Sequence, residues 1–179
     1  MPWFQKKPDA TPTPDASKPA SPRAPNTLKV SSLLGADGIL FPAEGQDKAD
    51  VLEALVSAVC RRAKITDPSP FLAKVLEREQ GISTTLDTGL SLPHARMDGL
   101  NGILAGMAVL RKPLPDPKQA DLSIRVVFLF FSPNRQDAFG LHLQLLRGVS
   151  SLFQPALIDQ LTAASGPAAA LELVKKIEA

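Results

Sequence analysis

The sequence predicts an α/β domain, a mixed β-sheet covered by helices on both faces, preceded by a disordered Pro-rich tail. Three observations carry this. Ile103 to Leu110 and Ile124 to Phe131 are almost continuously apolar, as strands are when helices cover both of their faces. Segments with apolar residues three and four apart surround them, the spacing of amphipathic helices. Residues 1–26 hold 7 of the 17 prolines, set among Thr, Ser, Ala and Asp. Such a segment buries too little apolar surface to offset the entropy of ordering the chain, so it is expected to be an extended tail, with the domain over residues 27–179.

The elements follow in order. Ile39 to Phe41 predicts a short strand. A helix is expected to open at Asp47, which can cap it, with Asp50 in the first turn where negative charge is favoured. Val51, Leu55 and Val59 form one apolar row and Leu52, Val56 and Cys60 the next, which makes Cys60 a buried, inert thiol. A second helix is expected to be capped by Ser69, with Pro70 at its first position and Gly81 as its stop. Arg78 falls in its polar last turn, an exposed helix end that could reach an anion in the following loop. Leu90 to Leu92 predicts a strand, and Pro113, Pro115 and Pro117 predict an irregular loop between the two long strands. Helices over Asp137–Phe153, Pro155–Ala164 and Pro167–Ile177 complete the chain.

Composition narrows the function. The net charge is +2. The tail carries Lys6, Lys7, Lys18 and Arg23 against Asp9 and Asp15, leaving 16 of the 20 basic and 16 of the 18 acidic residues for the domain. A neutral domain argues against nucleic acid as a partner. One cysteine and two histidines make a poor metal inventory, and a single cysteine forms no internal disulfide. No apolar run approaches the ~20 residues that cross a membrane, and the N-terminus has no continuous apolar stretch, so no membrane insertion, no secretory signal and a cytoplasmic location are expected.

The chemistry concentrates on the two histidines. His94 sits in Leu92-Pro93-His94-Ala95-Arg96, after the polar turn Ser83-Thr84-Thr85-Leu86-Asp87-Thr88-Gly89. An imidazole is a good phosphoryl acceptor near neutral pH because much of it is unprotonated. Phosphoryl transfer needs positioning and donors for the oxygens. Backbone N–H groups of the turn, the hydroxyls of Thr84 and Thr85, and the Arg96 cation can supply them. The other reading of His94 is a structural residue after a turn. His142 shares a helical face with Leu145, Leu146, Val149 and Phe153, the setting of a core histidine. A hydrolase using His94 with Ser83 or Asp87 is disfavoured, because one loop does not build a triad.

Ser83 to Arg96, ending in Leu-Pro-His-Ala-Arg, resembles the active-site segment of the type 2 IIA proteins of the bacterial phosphotransferase system, which include fructose, mannitol and nitrogen-regulatory domains. Ile124 to Pro133 followed by His142 to Leu146 is similar to the family's strand, loop and helix with a second active-site histidine. The resemblance spans roughly Leu28 to Ala179. It implies that His94 is phosphorylated by an HPr-type carrier and passes the group to a IIB component or keeps it as a regulatory mark. It implies that His142 supports this step, with Thr84 and Thr85 near the phosphoryl group and no metal or other cofactor. A free-standing domain leans toward the nitrogen-regulatory branch.

The sequence departs from the family's Thr-Gly-Ile-Gly-Asn-Gly turn, having Thr85 and Asp87 where two glycines stand. Turned inward, Asp87 would oppose a dianion by roughly 3 kcal/mol at ~5 Å; turned to solvent, it would oppose little. The alternative function is a protein-binding module of the same fold with weakened or lost phosphotransfer.

Overall fold

The computed structural model describes residues 28–179; the expected tail, including Trp3 and Phe4, lies outside them. Five strands form one mixed sheet: β1 (Ile39–Leu40), β2 (Leu90–Ser91), β3 (His94–Met97), β4 (Leu104–Pro115) and β5 (Ser123–Pro133). β4 lies antiparallel to β5 and parallel to β1. β2 and β3 both run parallel to β5 along its other edge, end to end, with Leu92 and Pro93 between them. The helices are α1 (Val30–Leu34), α2 (Lys48–Arg62), α3 (Ser69–Glu79), α4 (Phe139–Leu152), α5 (Pro155–Ala163) and α6 (Pro167–Glu178).

From Val126 to Phe131 a period of two along β5 divides the core, and the register shift before Val126 turns Ile124 to the side of Val127. Val126, Phe128 and Phe130 point to the face covered by α1, α4, α5 and α6. Ile124, Val127, Leu129 and Phe131 point to the face covered by α2 and α3. Both residue sets are apolar because both faces are covered, which is why the strand reads as a continuous run. β3 alternates differently. Ala95 and Met97 join the α2–α3 side, which leaves His94 and Arg96 on the opposite face of an edge strand.

The α2 expectation holds in detail. Asp47 accepts the Asp50 N–H at 2.9 Å while Asp50 accepts the Asp47 N–H at 3.1 Å, a reciprocal capping box. Cys60 is buried and free; burial pushes its thiol pKa up, and Asp67 adds to the effect. At α3, Pro68 occupies the cap position and Ser69 is already helical, its N–H accepted by Asp67 at 3.0 Å. Gly81 follows Gln80, which closes the helix in right-handed conformation, so no left-handed glycine cap is used. The loop expected through Pro113 and Pro115 is instead the end of β4, after a register shift between Val109 and Leu114. β1 pairs only with Met107 and Ala108, so the far end of β4 is an outer edge where prolines leave no ladder bond unmade. α4 begins at Phe139 after a 3₁₀ turn over Gln136–Ala138, two residues later than expected.

Gly106 marks where α2 presses on the sheet. A Cβ there would stand 2.7 Å from Val59 Cγ2, 3.3 Å from the Gly38 carbonyl and 3.4 Å from Leu55 Cδ2. Gly106→Ala is therefore expected to destabilise the fold by about 1–3 kcal/mol through overpacking. Urea denaturation should show a lower midpoint at unchanged slope.

Candidate functional site

The two histidines meet. Parallel pairing of β3 with β5 sets His94 beside Phe130, and the loop after β5 turns α4 so that His142 comes down over the same aromatic ring. The His94 ring stacks on Phe130 at 5.5 Å and 13°, and the His142 ring lies 5.4 Å from His94, edge on. His94 is partly exposed and His142 is buried. Both line an open cleft of about 500 Å³ with Lys74, Glu77, Arg78, Gly81, Ala95 and Arg96.

Each imidazole is held at one nitrogen. His94 Nδ1 lies 2.8 Å from the Leu92 carbonyl. A carbonyl only accepts, so Nδ1 carries the proton and Nε2 keeps its lone pair. Burial lowers the His94 pKa below its ordinary value; the Leu92 carbonyl opposes this, Arg78 adds to it and Glu79 opposes it. His142 Nδ1 lies 2.7 Å from Ser132 Oγ. Burial, then His94, then Arg96 bring its pKa down to about 4, so it is neutral at pH 7.

Arg96 reaches past the histidines. Its Nη2 donates to the Arg135 carbonyl at 2.7 Å, and its guanidinium lies 5.1 Å from the centre of the Phe139 ring. Phe139 in turn stacks with His142 at 6.3 Å and 11°. Arg78, which the sequence leaves between an exposed helix end and an anion contact, lines the cleft and donates to the Ile82 carbonyl at 3.1 Å. Lys74 lines the same cleft one turn earlier on α3. The i, i+4 spacing of Lys74 and Arg78 was a signal in the sequence, because it puts two cations on one helical face next to the motif.

Thr84 and Thr85 are placed differently from the expectation. Thr84 Oγ1 donates to Glu79 Oε1 at 2.7 Å and Thr85 Oγ1 donates to Asp116 Oδ2 at 2.5 Å. Both residues are buried and neither lines the cleft. Their hydroxyl protons are committed to carboxylates, so they brace the turn from behind. Asp87 is exposed, the outcome in which it opposes an anion little. Gly89, the glycine left in the turn, has φ +91°, and a Cβ there would stand 3.2 Å from Arg125 Cδ. No group of three or more His, Cys, Asp or Glu side chains able to hold a metal exists among the described residues. No helix among them is long and apolar enough to cross a membrane. A larger groove of about 740 Å³, between Leu28–Val30 and the C-terminal helices, shares no lining residue with the histidine cleft.

The arrangement has relatives. A nitrogen regulatory protein of Pseudomonas aeruginosa is 23% identical over 152 residues, covering 84% of this chain and 97% of that protein. The crystal structure of the nitrogen regulatory protein IIA-Ntr from Neisseria meningitidis superposes with a TM-score of 0.70 at 20% identity, over 81% of this chain and 98% of that one. The IIA mannitol enzyme of Escherichia coli, solved in complex with phosphorylated enzyme IIB, superposes with a TM-score of 0.66 at 16% identity, over 80% and 99%. Residues 32–177 match the family described as phosphoenolpyruvate-dependent sugar phosphotransferase system, EIIA 2. The chain belongs to that family.

Proposed function

We propose that this protein is a cytoplasmic phosphocarrier in which His94 accepts a phosphoryl group from an HPr-type carrier and yields it to a IIB component or holds it as a regulatory mark. The working unit is residues 27–179. The observation that carries the reading is the pair of imidazoles at 5.4 Å in an open cleft, the first with its Nδ1 proton tied to Leu92 and its Nε2 free.

In the transfer, the Nε2 lone pair forms a bond to phosphorus as the bond from phosphorus to the donor nitrogen breaks, and the donor nitrogen keeps that electron pair. No proton has to leave Nε2. The phosphorylated ring retains its Nδ1 proton and gains positive character, which the Leu92 carbonyl stabilises. Arg78 and Arg96 neutralise the phosphoryl oxygens. If Ser132 donates its hydroxyl proton to His142 Nδ1, the His142 Nε2–H donates into the cleft as a neutral group. The residues present fit a scheme without a metal.

The test is incubation with a phosphorylated HPr-type donor. Acid-labile label on the wild-type chain is expected, and its absence with every donor tried would overturn the reading. His142→Ala should retain label while acceptance and onward transfer slow by about 10²-fold, the loss of one positioned donor to a phosphoryl oxygen. Equal transfer rates in His142→Ala and wild type would remove His142 from the mechanism.

A second reading, a binding module without transfer, is favoured by one observation. Ile82, Phe139 and Leu143 are exposed around the cleft, Ile82 to 82%. Phe139 and Leu143 form one i, i+4 row on α4. An apolar rim of this kind suits a docking protein in either case. The labelling result separates the two.

A further inference from the structure

Behind the turn, out of the cleft, lies a buried polar cluster that the transfer step does not use. Its centre is Asp116, 2% exposed, in the loop after β4. Its own loop fixes it: Oδ1 accepts the Lys118 N–H at 2.8 Å and the Gln119 N–H at 3.0 Å. Oδ2 faces the turn and accepts Thr85 Oγ1 at 2.5 Å and Ser83 Oγ at 2.9 Å, with Lys48 Nζ at 3.5 Å. Lys48 also pairs with Glu79 at 2.6 Å, the carboxylate that accepts Thr84. Ser83 Oγ in addition accepts the Thr85 N–H at 3.1 Å.

Hydrogen bonds continue from this cluster to the imidazole. Thr85 bridges to Ser91 across an antiparallel contact. The Leu92 N–H donates to the Thr84 carbonyl at 3.0 Å. The carbonyl of the same Leu92 accepts His94 Nδ1 at 2.8 Å. Leu92, whose carbonyl sets the His94 tautomer, is thus pinned through its own N–H to the segment that Asp116 holds.

We propose that Asp116 is a positioning residue for His94: by anchoring Ser83 and Thr85 it fixes the Thr84–Leu92 pairing and so keeps the imidazole in the Nδ1–H form with Nε2 free. The proposal rests on the reading of His94 as the phosphoryl acceptor. It uses the Thr85 hydroxyl, which stands where the turn this segment resembles has a glycine with no side chain to tie. A carboxylate buried among five donors is rigid, because its alternatives are unpaired buried donors.

The experiment compares wild type, Asp116→Asn, Thr85→Val and Thr85→Ser as full chains carrying ¹⁵N-labelled histidine, at a pH where His94 is neutral. Nitrogen shifts read the tautomer of each ring, and label acceptance is measured in parallel. In wild type His94 should be Nδ1–H. In Asp116→Asn the Nε2–H form should appear at His94 while the His142 signals stay unchanged, and acceptance should fall about tenfold, as for a modest misplacement of a reacting group. Thr85→Val should move the same way but less, since Ser83 still holds, and Thr85→Ser should restore the wild-type pattern.

An unchanged His94 tautomer in folded Asp116→Asn overturns the proposal, whether or not stability or labelling falls, because a merely structural role leaves that signature alone. If Asp116→Asn does not fold, the Thr85 pair decides, with Val and Ser giving the same tautomer as the overturning result. If wild type takes no label from any donor, the phosphocarrier reading fails, while the tautomer comparison still decides the role of Asp116.

Discussion

His94→Ala is expected to reduce acid-labile labelling by about 10³-fold or more, to background, with the fold intact. The other imidazole cannot take over. His142 is 6% exposed, its Nδ1 is engaged by Ser132, and it is crowded by Phe130 and Phe139. His94 is the partly exposed ring whose free nitrogen a docking protein can approach, and the substitution removes little buried apolar surface, so thermal unfolding should be nearly unchanged. The pH profile has a definite sign. His94 must be neutral to attack, and burial, its largest influence, lowers its pKa below the ordinary 6.5. Acceptance should be flat above about pH 6.5 and fall only as the pH drops through the lowered value. The neutral His142 does not limit the profile, since its pKa is about 4. A plateau that begins well above pH 7 would contradict the burial seen at His94. Label that survives in His94→Ala and disappears in His142→Ala would reverse the two roles.

The parts that were legible in the sequence are those whose causes are local. The α2 capping box needs only Asp47 and Asp50, and β5 announces itself by a run that both faces require to be apolar. The parts missed depend on distant residues. α1 is five residues long, and its first N–H groups, at Val30 and Ser31, are accepted by the Glu178 carboxylate at the far end of the chain. β3 is four residues with a short alternation, and it becomes a strand because β5 offers an edge beyond Pro93. The site divides the same way. The segments of the two histidines and the motif around Arg96 pointed to residues that share one cleft. The hydroxyls of Thr84 and Thr85 bond Glu79 and Asp116 outside the cleft, an arrangement the sequence does not show because it depends on which carboxylates lie behind the turn. Arg78 is the exposed helix end that the sequence describes; that it also lines the cleft depends on α3 stopping beside β3, which the sequence does not show.

Phe130→Ala is expected to destabilise the protein by about 3–5 kcal/mol, a large share of the 5–15 kcal/mol typical of a domain. The ring is fully buried, and its residue pairs with His94 on one side and Ala105 on the other. It is also the floor on which both imidazoles rest, at 5.5 and 5.3 Å. One side chain therefore serves the core and the site, and the two effects need separating. Phe130→Leu does this. It keeps most of the apolar volume, so its stability loss should be about 1–2 kcal/mol, but it removes the flat surface that holds His94 parallel to it. If stacking sets the direction of Nε2, Phe130→Leu should remain folded in urea titrations and yet accept label about tenfold more slowly. If the leucine variant labels at the wild-type rate, the Leu92 hydrogen bond alone orients the ring, and Phe130 belongs to the core only. Because β3 pairs with β5 at this residue, a shift of one position in that register would put Leu129 or Phe131 beside His94, both of which face the α2–α3 side. The strand pairing that buries Phe130 is thus the same pairing that brings the two histidines together.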